Sequence, residues 1–352
     1  MKRFFLLCML TVAALPLLAQ SAALAQVFDR YAAQHNFHGV ALVATDGRLD
    51  FIRAAGIADR NADLPMRTDA RFKIASITKT FTAVLILQLM EEGKLRLDGH
   101  IGDYLPDYQG EARDQVSIHH LLTYTSGLPN SEGDGGIAVY QQATTLDSFI
   151  VAHCSGKLVA TPGTAFNYNN GDYTLLGKIV ATLRGKPFAT VLQERILAPL
   201  GMRHTGMLHT RDVLPGLVPT YNRDDSTGRF YADDPMYIEN YFAAGAMYAT
   251  IEDLLRFDKA LFGGRLLKAA TLDRMLTGNA ECWGCGYGFW VNDYTFGKVN
   301  TRGANRQGSI WGANANWLHF TEQNKTILIL SNTNATNLSE MAQELAQAAY
   351  GQ

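Results

Sequence analysis

The sequence predicts an α/β fold of the α+β type, with an antiparallel sheet assembled from both chain ends, flanked by helices, and a mostly helical region inserted between the two halves. Segments rich in β-branched and aromatic residues, separated by turn residues, occur near both ends. The middle of the chain instead shows helical spacing of apolar residues and long loops. We therefore expect a sheet region at about 26–75 and 280–352 and a helical region at about 76–279.

The N-terminal part of the sheet region contains a helix signal and a hairpin signal. VFDRYAAQHN is amphipathic and predicts a short helix. Residues 39–59 then alternate around Asp46-Gly47, a dipeptide typical of two-residue β-hairpin loops. The first two strands of the sheet are therefore expected on either side of that turn.

The C-terminal part contains more strand-like segments and a closing helix. The predicted strands lie in YGFWVNDYTFGKV, ANANWLHFT and KTILILSN. In the last segment of the chain, Leu338, Met341 and Leu345 recur at helical spacing. We expect this helix to flank the sheet.

Residues 1–25 have the pattern of a secretory signal peptide. Basic residues precede an apolar run, and Ala23 and Ala25 supply small side chains where a signal peptidase cuts. A membrane anchor is the less favoured alternative, because the run contains Pro16 and is short for a span of roughly 20 residues. We expect a secreted or periplasmic mature chain of one domain, residues 26–352, with no transmembrane segment.

The charge balance argues against a nucleic acid partner. The chain has 31 Lys and Arg against 33 Asp and Glu, a net charge of −2. Loss of the signal peptide removes two basic residues and no acidic ones. The mature chain therefore has no basic excess to neutralise phosphates.

Three cysteines remain after signal removal: Cys154, Cys282 and Cys285. The last two form a Cys-x-x-Cys pair that precedes a strand-like segment instead of opening a helix. This context favours a small structural disulfide or an inert pair over redox chemistry.

No metal or cofactor is predicted. His119 with His120, and His204 with His209, lack a recognisable third ligand. The sequence also contains no Walker loop, no Rossmann fingerprint and no Gly-x-Ser-x-Gly elbow.

The main chemical signal is Ser76, followed one helical turn later by Lys79. Residues 77–93 have an apolar helical face and end at Gly93, so Ser76 is expected at the helix start, on the same face as Lys79. A lysine inside an apolar helix is costly unless it is paired or neutral, and a lysine with a lowered pKa can activate a serine. Taken alone, the pair favours a capping serine and a solvent-facing lysine over a catalytic pair.

The segment around this pair, RFKIASITKTFTA, resembles the penicillin-recognising serine hydrolases, which include class C β-lactamases, D-alanyl-D-alanine carboxypeptidases and related esterases. Similar segments follow in the family's order, and the resemblance covers about residues 30–332. They are HLLTYTSGLP (120–129), in which Tyr124 stands where a histidine is common, the Tyr-x-Asn motif at 168–170, LAPLGMRHTG (197–206) and AGAMYATIEDLLRF (244–257). The resemblance implies the β-lactamase/transpeptidase-like fold.

The resemblance also implies roles for individual residues. Ser76 would attack a carbonyl carbon and become acylated. Lys79 and Tyr168 would share the proton transfers, and which of the two is the resting base is left open. Asn170 would hydrogen-bond Lys79 or a substrate amide.

The third motif departs from the family pattern of Lys or His, then Thr or Ser, then Gly. Here the strand carries Arg306, Gln307 and Gly308. Arg306 keeps the positive charge and offers bidentate contact to a substrate carboxylate, whereas Gln307 is expected to narrow the cleft. Gly308 would let a substrate backbone approach the strand, and the N–H of Ser309 would form the oxyanion hole with that of Ser76.

The sequence therefore predicts an exported serine hydrolase that acts through an acyl-enzyme on an amide or ester bond and needs no cofactor. A D-alanyl peptide, a β-lactam and a small ester all stay open as substrates. The substrate is expected to be a small molecule or peptide, and Arg306 favours one that bears a carboxylate. The alternative is a non-catalytic protein of the same fold that binds cell-wall peptides.

Overall fold

A computed structural model describes residues 20–351 of the chain, in which thirteen strands and twelve α-helices occur. The strands are β1 (Gly39–Thr45), β2 (Arg48–Ala55), β3 (Ile57–Asp59), β4 (Leu64–Pro65), β5 (Phe72–Lys73), β6 (Gly206–Met207), β7 (Tyr221–Arg223), β8 (Phe230–Ala232), β9 (Met247–Ala249), β10 (Trp290–Phe296), β11 (Val299–Ile310), β12 (Ala313–Phe320) and β13 (Lys325–Ser331).

The helices enclose the large sheet and make up most of the middle of the chain. They are α1 (20–34), α2 (Thr78–Glu91), α3 (Ile101–Tyr104), α4 (Ile118–Leu122), α5 (Leu146–His153), α6 (Asn170–Arg184), α7 (Phe188–Leu192), α8 (Ala198–Leu200), α9 (Phe242–Gly245), α10 (Ile251–Phe262), α11 (Ala269–Met275) and α12 (Leu338–Ala349).

The predicted sheet is confirmed. Six strands pair antiparallel in the order β10-β11-β12-β13-β1-β2, so the N-terminal hairpin joins the C-terminal strands through β1 and β13. Their register sets Gly39 opposite Ser331. Asp46 and Gly47 both have positive φ, 53° and 65°, as the tight hairpin loop between β1 and β2 requires.

The sheet is buried on both faces, which strand β1 shows most directly. Side chains of a strand point alternately to opposite faces. Val40 and Leu42 belong to one core, shared with α2 and other helices of the middle region, whereas Ala41 and Val43 belong to a second core that includes residues of α1 and α12. The α+β class predicted from the sequence therefore has a helical layer on each side of the sheet.

The middle region is mostly helical, as predicted, but it also contains the short strands β6 to β9. These strands have only two or three residues each, too few to give a periodic signal in the sequence. One small sheet, ordered β5-β9-β6, is important for the site because β5 leads directly into Ser76.

The N-terminal helix begins earlier than predicted. VFDRYAAQHN indicated a helix from residue 27, whereas α1 already includes residue 20. Leu24 is fully buried in the core that includes α12, and Gln20 Nε2 donates to the carbonyl of Ala349 at 2.7 Å. The expected cleavage point after Ala25 therefore falls inside this helix, while residues 1–19 of the expected signal peptide lie outside the described residues.

Within residues 20–351, no helix is both long and apolar enough to cross a bilayer. The same residues contain no group of three or more His, Cys, Asp or Glu side chains that could hold a metal ion.

The Cys-x-x-Cys pair forms a tight turn of free thiols. The N–H of Cys285 donates to the carbonyl of Cys282 at 3.0 Å, and the intervening Trp283 and Gly284 both have positive φ. Cys154, Cys282 and Cys285 are all buried and unbridged. Of the two forms expected from the sequence, the structure shows the unbridged pair and not the disulfide.

A buried polar cluster around Asp258 ties the helical region to the sheet. Asp258, on α10, accepts hydrogen bonds from Trp317 Nε1 at 2.7 Å and from Thr326 Oγ1 at 2.6 Å. His319 Nδ1 lies 3.0 Å from the same carboxylate. All four side chains are buried, so the carboxylate satisfies polar groups of β12 and β13 that water cannot reach.

Removing that carboxylate should destabilise the whole protein. Asp258→Ala leaves the indole N–H and a hydroxyl buried without their acceptor, and we expect a loss of about 3 kcal/mol or more in the free energy of unfolding. Urea unfolding followed by circular dichroism measures it. Asp273→Ala, at an exposed position of α11, is the matched control, and equal small losses in the two variants would contradict the role given to Asp258.

Candidate active site

The predicted nucleophile lies in a strained turn. The chain leaves β5, the N–H of Ile74 donates to the carbonyl of Met247 at 3.0 Å, and Ala75 then adopts a φ of 46°. Positive φ is uncommon for a residue with a side chain and is held only where the surroundings enforce it. Ser76 follows in a 3-10 turn that runs into α2, and its side chain is partly exposed.

Lys79 is buried with three hydrogen-bond acceptors. Because α2 is enclosed on nearly all sides, its lysine is 0% exposed. The ammonium donates to Ser76 Oγ at 3.0 Å, to Asn170 Oδ1 at 2.6 Å and to the carbonyl of Ala244 at 2.8 Å. Burial lowers the pKa of Lys79 to about 8, against the opposing effect of the Tyr168 oxygen.

Tyr168 completes the contacts of the serine oxygen. Its hydroxyl lies 2.8 Å from Ser76 Oγ and accepts a hydrogen bond from Arg306 Nη2 at 2.9 Å. Burial by itself would raise the pKa of Tyr168, but the positive charges of Arg306 and Lys79 lower it to about 7. The phenol is thus close to ionisation at neutral pH.

Arg306 lies beside Ser76 as predicted, but its guanidinium binds protein groups. Nε donates to the carbonyl of Ser76 at 2.8 Å, Nη1 to Tyr124 Oη at 3.2 Å and Nη2 to Tyr168. The side chain is only 1% exposed. The expectation that Arg306 presents a free edge to a substrate carboxylate is therefore wrong, because the buried guanidinium is bound to the Ser76 carbonyl and to the phenols of Tyr124 and Tyr168.

Gln307 faces the other side of the sheet. Neighbouring residues of a strand point in opposite directions, so a strand that turns Arg306 toward Ser76 turns Gln307 away. Gln307 Nε2 donates to Ser339 Oγ of α12 at 2.8 Å. The prediction that Gln307 narrows the cleft is wrong for this reason.

Gly308 and Ser309 lie on the part of β11 that has one unpaired edge. β12 pairs with β11 as far as Ile310, whereas β10 pairs with it only as far as Asn305. A Cβ at Gly308 would come within 2.4 Å of the Ile74 carbonyl oxygen and 3.1 Å of the Ser76 nitrogen. The strand therefore crosses the Ser76 turn so closely that only glycine fits.

Asn170 is held by a pair of residues that the sequence did not indicate. Its carbonyl oxygen accepts from Lys79, and its Nδ2 donates to Glu132 Oε1 at 2.8 Å and to Tyr140 Oη at 3.2 Å. Tyr140 also donates to Glu132 at 3.1 Å. Both lie in or beside the glycine-rich segment 128–138, whose sequence suggests only a flexible loop, so no local signal marked them.

Together these contacts give Ser76 a proton acceptor and an electropositive surrounding. The serine oxygen is in hydrogen-bond distance of both Tyr168 and Lys79. Such an arrangement can remove the serine proton as the oxygen attacks a carbonyl carbon and can return a proton to the leaving group.

Comparisons with known proteins agree with this chemistry. The beta-lactamase family model matches residues 24–352. Esterase EstB from Burkholderia gladioli is 30% identical over 358 residues, which cover 89% of this chain and 90% of the esterase. Penicillin-binding protein 4* from Bacillus subtilis is 27% identical, with coverage of 87% and 70%. The solved structure of a D-stereospecific amidohydrolase from Streptomyces sp. has a TM-score of 0.77 and 26% identity, covering 92% of this chain and 97% of that one.

These similarities define an enzyme of the serine hydrolase class with the β-lactamase/transpeptidase-like fold. The chain belongs to the beta-lactamase family. The family, the fold class and the enzyme class predicted from the sequence are thus confirmed.

The effect of Arg306 on Tyr168 can be tested by the pH dependence of activity. In Arg306→Ala the pKa of Tyr168 should rise from about 7 toward the ordinary value of about 10, because a neighbouring positive charge is lost. The acidic limb of kcat/KM for a neutral short-chain ester should move to higher pH, with a loss of about tenfold or more at neutral pH.

Two further variants make that test specific. Arg306→Lys keeps a positive charge and should shift the acidic limb of the kcat/KM profile less than Arg306→Ala does. Arg211→Ala, at an exposed position, should keep the wild-type pH profile. If Arg306→Ala lowers kcat/KM by the same factor at every pH, Arg306 does not act through Tyr168.

Gly308→Ala tests the close crossing of β11 over the nucleophile. The added methyl group collides with backbone atoms of the Ser76 turn, so the strand must move. A displacement of about 1 Å can cost about 100-fold in rate, and we expect a kcat loss of that order in a folded variant. In the control variant Gly206→Ala, the three atoms nearest to the added methyl group all belong to the Tyr248 side chain, at 3.2 Å or more. Wild-type kcat in Gly308→Ala would contradict the close crossing of β11 over the Ser76 turn.

Proposed function

We propose that the protein is an exported hydrolase that cleaves esters or amides through an acyl-enzyme on Ser76. The observation that carries the proposal is the position of Ser76 Oγ, 3.0 Å from Lys79 Nζ and 2.8 Å from Tyr168 Oη. The serine oxygen forms a bond to the carbonyl carbon, the leaving group departs with a proton, and water then releases the acid and restores the serine.

Tyr168 is the base in this proposal. The pKa of Tyr168 is about 7 and that of Lys79 about 8, so the pair favours a phenolate beside an ammonium when it holds one proton between them. The Ser76 hydroxyl then donates to the phenolate during attack. The resulting phenol returns the proton to the leaving oxygen or nitrogen, while Lys79 stays charged and stabilises the developing negative charge.

The oxyanion would be held by backbone donors. The N–H of Ser76 lies at the start of the 3-10 turn and α2, and the N–H of Ser309 lies on the segment of β11 that β10 leaves unpaired. Two such donors stabilise the negative oxygen of a tetrahedral intermediate. The same unpaired edge offers an extended substrate a main-chain partner.

The proposed acyl group is uncharged. Arg306 was the main reason to expect a carboxylate, and its guanidinium is buried against Tyr124 and Tyr168. The relative named an esterase and the structural neighbour named a D-stereospecific amidohydrolase support ester and amide chemistry. A non-catalytic peptide-binding role has less support, since it gives no reason for the contacts among Ser76, Lys79 and Tyr168.

Export is inferred from the sequence alone. Residues 1–25 combine a basic start, an apolar run and small residues before the expected cut. We propose that the mature, single-domain enzyme is released into the periplasm or the medium.

Covalent labelling tests the nucleophile. A fluorophosphonate should add one phosphonyl group to the wild type, mapped to Ser76 by peptide mass spectrometry, and Ser76→Ala should take none. Turnover of a short-chain ester should fall by on the order of 10³-fold or more in that variant. Ser226→Ala, at an exposed position, should label like the wild type, and an adduct on any serine other than Ser76 would overturn the proposal.

A further inference from the structure

A second candidate site is a groove on the sheet face opposite Arg306. It has a volume of about 280 Å³ and lies between β10, β11 and α12. That volume is near the lower end of the range for small-molecule sites. Its walls carry aromatic rings and carboxamides, which include Trp283, Trp290, Asn305, Gln307, Asn316 and Gln343.

Trp283 makes this groove unusual for a protein surface. Its side chain is 76% exposed, although tryptophan is highly buried on average. The Cys282–Cys285 turn holds the backbone of Trp283 at a φ of 54°, and its ring meets the ring of Phe166 edge-on at 5.4 Å. A structured turn thus presents the indole to solvent.

Trp290 connects the groove to the catalytic residues. It is the first residue of β10 and lines the groove. On the catalytic side, its ring lies 6.4 Å from that of Tyr168 and 5.8 Å from that of Phe166. One aromatic side chain therefore forms part of both sites.

The polar groups of the groove are neutral and partly fixed. None of the lining residues, all within the described part of the chain, is Asp, Glu, Lys, Arg or His. Gln307 Nε2 donates to Ser339 Oγ at 2.8 Å, and Asn305 Nδ2 donates to Asn316 Oδ1 at 2.9 Å. These bonds orient the carboxamides before any ligand binds.

We propose that this groove binds an uncharged saccharide ring. A carboxamide both donates and accepts, as a sugar hydroxyl does, so the two match in either direction. The apolar face of a sugar ring can lie on the exposed indole, where tryptophan offers a large surface with a polar N–H. A charged ligand would find no counter-ion in the groove, and a purely apolar one would displace water from the carboxamides without replacing its hydrogen bonds.

This proposal goes beyond hydrolysis, and its test does not depend on turnover. Maltose, cellobiose and N,N′-diacetylchitobiose are titrated separately into the full chain while tryptophan fluorescence is recorded, and calorimetry gives the affinity. At least one disaccharide should change the emission and bind with a Kd of about 1 mM or tighter.

Variants decide whether that binding occurs in the groove. Trp283→Ala should weaken it at least tenfold, and Gln343→Ala, at an exposed position of α12, should weaken it measurably. Tyr231→Ala removes another exposed aromatic ring, 51% exposed on β8, and should bind like the wild type.

Three results would overturn the saccharide site. They are no binding of any of the three disaccharides, equal affinity in wild type and Trp283→Ala, and Trp283-dependent binding of an N-acetyl dipeptide amide but of no disaccharide. None of these results bears on the labelling of Ser76, so the two proposals fail separately.

Discussion

The constraint on which the site depends is the burial of two cations beside one serine. Lys79 and Arg306 are 0% and 1% exposed, and taking a charge out of water costs several kcal/mol unless partners replace the solvent. Lys79 has three acceptors, and Arg306 has a main-chain carbonyl and two phenols. The ionised form of Tyr168 places a negative charge beside both cations. Their attraction lowers the pKa of Tyr168, although burial opposes this change.

The fold meets this constraint by bringing distant segments together at one point. Helix α2 supplies the lysine, the N-terminal end of α6 supplies Asn170, and α9 supplies the carbonyl of Ala244. Strand β11 supplies the guanidinium and crosses the nucleophile turn at Gly308. Because Arg306 lies on β11 at a position that pairs with β12, the guanidinium is held by a regular strand and not by a loop.

Local signals were enough to predict the Asp46-Gly47 hairpin, which follows from turn chemistry. Ser76, Lys79 and Tyr168 were predicted from the resemblance of ordered motifs to a known family, because the spacing of Ser76 and Lys79 alone did not decide their role. Residue spacing could not show that Arg306 is buried, since burial depends on Tyr124, which lies far away in sequence.

Other features were missed for equally physical reasons. Gln307 was predicted to lie in the cleft because the sequence alone does not show which face of the sheet a strand residue points to. A shift of one residue reverses the face. Glu132 was missed because a glycine-rich loop gives no sign that its carboxylate reaches Asn170. The saccharide groove required the three-dimensional meeting of the Cys282–Cys285 turn with α12.

The central claim is that Tyr168 ionises near neutral pH because two buried cations surround it. The direct measurement is a pH titration of the protein with tyrosines labelled by ¹³C at Cζ, followed by NMR. Of the 15 tyrosines, one should titrate with a pKa of about 7, and its signal should be missing from Tyr168→Phe. A wild-type spectrum in which every tyrosine keeps its proton up to about pH 9, near the ordinary pKa of about 10, would contradict the account.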